Sequence, residues 1–255
     1  MSSRLDQELT TRALARSRTV AARWIGEGRV LVNGRPATKP SVRVGPEDLL
    51  EVRPAEAPDY VSRAGHKLAG ALAAFPDVGV AGKRCLDAGA STGGFTDVLL
   101  RRGAREVVAV DVGHDQLDPA LRADPRVRVL EGMNVRWMRP EDIGGAAELT
   151  VCDLSFISLT LVLAPLAAAT VPGGDLVLMV KPQFEVGADR LARTGVVTSE
   201  DERARAVEAV AAAARTHGLS VLGRERSPLP GQDGNHEFFL WCRRDPPVLS
   251  VPALA

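Results

Sequence analysis

With 255 residues, 45% of them hydrophobic and 25% charged, the chain can fold as one large domain or as a small domain joined to a medium one. A formal net charge of zero excludes a polycation acting through bulk charge, but the mean hides a gradient: residues 1–43 hold nine basic residues against Asp6, Glu8 and Glu27. The opening MSSRLDQELT lacks an apolar signal core, and the richest apolar stretch, 159–180, is broken by Pro165, Pro172, Gly173, Gly174 and Asp175, so a cytoplasmic protein with no membrane span is expected.

Leu5, Leu9, Ala13 and Leu14 stand at helical spacing and predict a helix over 4–17; Val20, Ala21, Trp24 and Ile25 predict a second, closed by Gly26 and Gly28. Residues 30–35 read as a strand entering an Asn33-Gly34 turn, and 49–52 as another strand. A small α+β domain is therefore expected over 1–55, with a proline-spaced linker over 56–63. From 64 to 245 short apolar runs alternate with helical stretches, the pattern of a parallel α/β sheet. Strands are predicted at 84–88, 106–110, 127–130, 149–153, 175–180, 219–224 and 237–242, helices at 96–102, 157–169 and 200–216, and a frayed tail at 246–255. Cys85, Cys152 and Cys242 stand singly in apolar runs without CxxC spacing, so they read as buried strand residues and no metal site is expected.

A glycine-rich turn follows the first strand of the α/β region: Asp87, Gly89, Ala90, Ser91, Thr92, Gly93, Gly94 and Phe95. Such a turn lets backbone approach a ligand at a helix N-terminus, though it can also be only a tight connection. Asp111 ends the second strand 22 positions after Gly89, where a nucleoside ribose needs a carboxylate acceptor. The glycine spacing matches neither the Gly-Lys-Ser/Thr of a phosphate loop nor GxGxxG. Asp87 suits an amino-acid-bearing cofactor better than a pyrophosphate, which points to S-adenosylmethionine. Asn134, after the third strand, either reads an adenine edge or is a polar turn residue.

Four charges fall at or near strand ends: Lys67 before the sheet, Asp153, Lys181 and Glu237. Singly, each also reads as a solvated surface charge. Together they suit methylation of a ribose 2′-hydroxyl, a poor nucleophile that a nearby cation activates by lowering its pKa. Lys181 is the candidate cation. Asp153 would orient it beside the sulfonium methyl, and Lys67 and Glu237 would complete the network around the hydroxyl.

These residues resemble the TlyA-type proteins, known both as hemolysins and as ribosomal RNA 2′-O-methyltransferases. The resemblance runs through Arg16-Ser17-Arg18, Val32-Asn33-Gly34 and Lys39-Pro40-Ser41, similar to an S4 RNA-binding domain, and through His66-Lys67-Leu68, residues 87–96, 153–158 and 181–186, and Pro228-Leu229-Pro230-Gly231, similar to an FtsJ-like catalytic domain. It implies a Rossmann-like class I methyltransferase domain behind a small S4-like α+β domain. It also implies a cytidine 2′-O-methyltransferase of ribosomal RNA, acting in the family's longer-tailed members on both 16S and 23S RNA in 30S and 50S subunits, with Lys67, Asp153, Lys181 and Glu237 on the family's tetrad; a monomer is expected. Arg4, Arg18 and Lys39 are the leading RNA contacts, with Arg63 and Arg136 nearer the active site. At the junction the chain departs from the family: Ala57-Pro58-Asp59-Tyr60-Val61 stands where longer-tailed members often carry Arg-Ala-Trp-Val.

Three rivals remain. A membrane-acting cytolysin would need an apolar span or lytic helix, a noncatalytic RNA-binding assembly factor would be expected to lose some of the four charges, and a dehydrogenase would need different glycine spacing.

Overall fold

The N-terminal sequence folds as two short helices beside two small antiparallel sheets. A computed structural model describes residues 2–54, 60–187, 195–231 and 233–246, and divides into two compact units, 1–59 and 60–255. Residues 56–59 of the expected linker, and all of the expected tail except Pro246, lie outside the described residues.

In the first unit, β1 (Ser3–Arg4) leads into α1 (Leu5–Thr11), followed by α2 (Arg18–Gly26), β2 (Val30–Val32), β3 (Arg35–Pro36), β4 (Arg43–Val44) and β5 (Leu50–Val52). The sheets are β3-β2-β5 and β1-β4, and Leu5, Leu9, Ala21, Ile25, Val30 and Val44 form the core. The helix predicted over 4–17 is shorter than its periodicity suggested. Ala13 turns to φ +55°, Leu14 is exposed, and Ser17 caps α2 by accepting the Val20 N–H at 3.2 Å.

The second unit runs α3 (Ala64–Ala74), β6 (Arg84–Ala88), α4 (Gly94–Arg101), β7 (Glu106–Val110), α5 (Pro119–Arg122), β8 (Val127–Leu130), β9 (Ala147–Cys152), α6 (Leu163–Ala168), β10 (Thr170–Val180), α7 (Pro182–Glu185), α8 (Glu200–Thr216), β11 (Leu219–Arg226) and β12 (Phe238–Arg244). Among the described residues these strands form one seven-stranded sheet ordered β8-β7-β6-β9-β10-β12-β11. Neighbours from β8 to β10 pair in parallel, and β12 is antiparallel to both β10 and β11.

Helices cover both faces, so the inner strands are buried twice over and read in sequence as near-continuous apolar runs, whereas the edge strands β8 and β11 are partly exposed. Along β10, Leu176, Leu178 and Val180 join Leu163, Leu166, Val207 and Val210 of α6 and α8, while Val177 and Met179 join Leu68, Leu72, Val98 and Leu99 of α3 and α4. Cys85, Cys152 and Cys242 are buried on β6, β9 and β12.

Several elements depart from expectation, among them the short helices α5 and α7, which were not predicted. The helix predicted over 157–169 splits into a 3-10 turn, Leu159–Leu161, and α6, because Pro165 cannot share a continuous helix with the carbonyl four residues earlier. Helix α3 was not anticipated; its Gly65 and Gly70 are poor helix formers, but a Cβ there would strike the Tyr60 side chain at 2.6 Å and Pro228 Cγ at 2.6 Å.

Candidate active site

From β6 the chain winds outward through β7 and β8, then returns to β9 on the other side. That reversal opens a crevice at the carboxyl ends of β6 and β9, where open α/β sheets place ligands.

The glycine-rich turn lies in this crevice. Gly89 sits at φ +92°, and a Cβ there would collide with the Asp153 carbonyl oxygen, so only glycine lets the turn lie against the end of β9. Gly89 and Ala90 both donate to the Val110 carbonyl, at 2.8 and 3.1 Å. Asp111, next along, accepts the Ser91 N–H at 2.8 Å on one carboxylate oxygen and the Gly113 N–H at 2.7 Å on the other, fixing the turn to β7 while leaving lone pairs unused. Behind the turn, Val61 N–H donates to Asp97 at 2.8 Å, and Gly94 makes room for Ser62 and Ala64, which would crowd any side chain there.

Two adjoining cavities are found among the described residues. One, of about 490 Å³, is lined by Asp111, Val112, Gln116, Met133, Asn134, Leu154, Ile157 and Val162. The other, of about 410 Å³, is lined by Arg63, Lys67, Ala90, Thr92, Gly94, Phe95, Lys181, Gln183, Phe184 and Glu237. Gly89, Ser91, Asp153, Ser155 and Phe156 border both.

Asp87 and Gly93 line neither cavity. Asp87 is fully buried on β6 with the Thr96 hydroxyl donating to it at 2.7 Å; its other oxygen is unpartnered, and burial pushes its pKa up to about 7. Gly93 packs under Leu117 and Leu121. Both shape the turn from behind. The Asn134 side chain accepts the Arg136 N–H at 3.0 Å, so it caps the 3-10 turn Val135–Trp137 as well as facing the larger cavity.

The four charges converge on the smaller cavity. Asp153 follows β9, Lys181 follows β10, Lys67 projects from α3 and Glu237 precedes β12. Lys181 Nζ is 2.6 Å from Asp153 Oδ1 and donates to Ser155 Oγ at 2.9 Å. Lys67 Nζ donates to Glu237 Oε2 at 2.5 Å, and both residues are buried. With no Cβ, Gly231 gives Glu237 space; one would lie 2.8 Å from its Oε1. The cavity thus holds one buried cation–carboxylate pair, Lys67 with Glu237, and one part-buried pair, Lys181 with Asp153, and an ammonium keeps donor capacity beyond those contacts.

The expected RNA contacts are less free than a charge count implies. Arg4 and Arg18 both pair with Asp6, at 3.0 and 2.9 Å, and the Arg4 guanidinium foremost holds this buried carboxyl below the usual carboxylate range. Arg12 turns inward to donate to the Gly45, Pro46 and Asp48 carbonyls. Lys39 is exposed, Arg63 donates to the Pro230 carbonyl at 2.8 Å, and the Arg136 guanidinium lies 5.1 Å from the centre of the Trp137 ring.

Sequence reasoning missed four residues. Ser155 meets Lys181. Phe156 is 92% exposed at φ +65° with its ring 5.4 Å from Phe184, and Glu185 accepts the Ser158 hydroxyl at 2.5 Å and the Leu159 N–H at 2.8 Å. An aromatic residue in the short loop four positions past the end of β9, where polar residues are expected, was the available signal for Phe156.

Residues 60–244 match the FtsJ-like methyltransferase family and residues 3–50 the S4 domain. Over 241 residues, 94% of this chain and 90% of the relative, the sequence is 53% identical to the 16S/23S rRNA (cytidine-2′-O)-methyltransferase TlyA of Mycobacterium tuberculosis. It is 36% identical to Hemolysin A of Brachyspira hyodysenteriae, over 92% of this chain and 98% of that one. A solved Streptococcus thermophilus chain that carries a hemolysin name is 40% identical with a TM-score of 0.75, covering 96% of this chain and 89% of its own. Among the described residues no helix is long and apolar enough to cross a membrane, and no metal-ligating cluster is present.

Proposed function

The chain belongs to the FtsJ-like methyltransferase family, uses S-adenosylmethionine and carries an S4 domain, and we propose that it methylates the 2′-hydroxyl of a cytidine in ribosomal RNA. The observation that carries this reading is Lys181, held by Asp153 and Ser155 on the border of the cofactor crevice.

The crevice residues fit the cofactor. Gly89 leaves bare backbone, Asp111 keeps acceptor capacity for ribose hydroxyls, Met133, Ile157 and Val162 give apolar walls for a base, and Asp153 sets a negative charge where a sulfonium would lie. S-adenosylmethionine, when bound, supplies an electrophilic methyl group.

Lys181 would hold the acceptor hydroxyl and, by its charge, favour loss of that hydroxyl's proton to solvent, leaving an oxygen able to accept the methyl that the cofactor would supply, with the thioether S-adenosylhomocysteine as leaving group. Asp153 keeps Lys181 aimed. The Lys67–Glu237 pair borders the same cavity and fixes the ribose through hydrogen bonds. The exposed Phe156 ring, braced by Phe184, offers a stacking face for an extruded base. Residues 1–55 act as the RNA-binding domain and 64–245 as the catalytic domain. Arg4, Arg18, Lys39, Arg63 and Arg136 grip phosphates, with sites found by shape and backbone more than by base sequence.

That both 30S and 50S subunits are substrates, in the cytoplasm where ribosomes lie, is supported by the name of the Mycobacterium tuberculosis relative. That all four charges come from one chain supports a monomer. The test is transfer of labelled methyl to unmodified 30S and 50S subunits, followed by mass spectrometry of the digested nucleosides. The expected product is 2′-O-methylcytidine; no transfer to either subunit, with cofactor binding intact, would overturn the reading.

A further inference from the structure

Trp137 is 71% exposed, although its turn is firmly anchored. Val135 and Met138 on either side are buried, and the Asn134 side chain caps the turn at Arg136 N–H. The indole is therefore presented from a fixed turn rather than swinging on a loose loop. The Arg136 guanidinium lies over the ring at 5.1 Å, and among the described residues no carboxylate pairs with it.

Nothing in the packing of the second unit requires an exposed tryptophan here. An indole face beside an unpaired guanidinium is the chemistry that holds single-stranded nucleic acid, the ring stacking on a base and the cation meeting its phosphate. The location agrees: Asn134 and Val135, just before the pair, line the cavity that Phe156 also borders. Arg139 is held by Asp142 at 3.0 Å, so the cation beside Trp137 that is left for a phosphate is Arg136.

We infer that Trp137 is a stacking platform for an unpaired RNA base flanking the modified nucleotide. The inference rests on the proposed function and deepens it, because it adds a second point at which the RNA must be unstacked.

The test compares wild type, Trp137→Ala and Trp137→Phe in methyl transfer to unmodified ribosomal subunits, with cofactor binding measured separately. Trp137→Ala is expected to raise KM for the RNA substrate about tenfold or more, with kcat at saturation and cofactor Kd within about twofold of wild type, and Trp137→Phe is expected to lie between. Single-stranded oligoribonucleotide should also quench tryptophan emission more in wild type than in Trp137→Phe, where Trp24 and Trp241 set the background, a readout independent of turnover. Unchanged KM and quenching in the variants would overturn the inference. So would an equal loss of cofactor affinity, which would assign Trp137 to the cofactor instead. Failure of wild type to methylate ribosomal RNA would count against the proposed function, while the quenching comparison would still decide the stacking.

Discussion

Lys67 Nζ and Glu237 Oε2 meet at 2.5 Å across 170 residues of sequence, with only 8% and 3% of their side chains exposed. A buried pair of this kind contributes little net stability when intact, but removing one partner strands a charge in the interior. Glu237→Ala should therefore lower unfolding free energy by about 3–5 kcal/mol and abolish methyl transfer. The double variant Lys67→Met with Glu237→Leu should recover most of the stability and none of the activity. Denaturant unfolding alongside transfer assays checks this, and activity in the double variant would show the pair to be structural only.

Glu185 lines neither cavity of the active site, yet its carboxylate ties the start of the 3-10 turn at Leu159 to the end of α7. Its contacts with Ser158 and Leu159 close a bracket whose other members are Asp153 with Lys181 and Phe156 with Phe184. Glu185→Ala should lower kcat about tenfold or more with cofactor Kd nearly unchanged, because Ser155 and Phe156 lose their support. Glu185→Gln can still accept from Leu159 and contact Ser158, and should restore most of the rate. Equal rates in the three proteins would remove Glu185 from the account.

Burial raises Asp87 from the usual 3.8 to about 7. The folded state then holds this proton more tightly than the unfolded chain, so the associated stability is complete below about pH 4 and is lost as pH rises through 7. Asp87→Asn removes the titration while leaving an oxygen for the Thr96 hydroxyl. Without cofactor, wild type should lose stability relative to this variant between about pH 4 and 7, by about 4 kcal/mol in all. Chemical unfolding midpoints across that range provide the check, and parallel pH profiles would contradict it.

The sheet was legible because its inner strands are buried on both faces, so runs such as 106–110 and 175–180 stand out without alternation. The strand ends then located Asp153 and Lys181. Helix α3 was not legible, since the reason for Gly65 and Gly70 lies in Tyr60 and in the distant Pro228, not in local propensity. Nor could the sequence show that Arg4 and Arg18 converge on Asp6, that Asp87 and Gly93 sit behind the turn, or that Glu185 reaches Ser158, because each depends on how separate segments pack.

The most direct measurement is the single-turnover rate of Lys181→Met on ribosomal subunits at saturating cofactor, with cofactor Kd determined alongside. If Lys181 activates the acceptor hydroxyl, the rate should fall by about 10²–10³-fold or more while Kd stays within a few-fold of wild type. A rate within a few-fold of wild type, with the same Kd, would contradict the assignment of Lys181 as the activating cation.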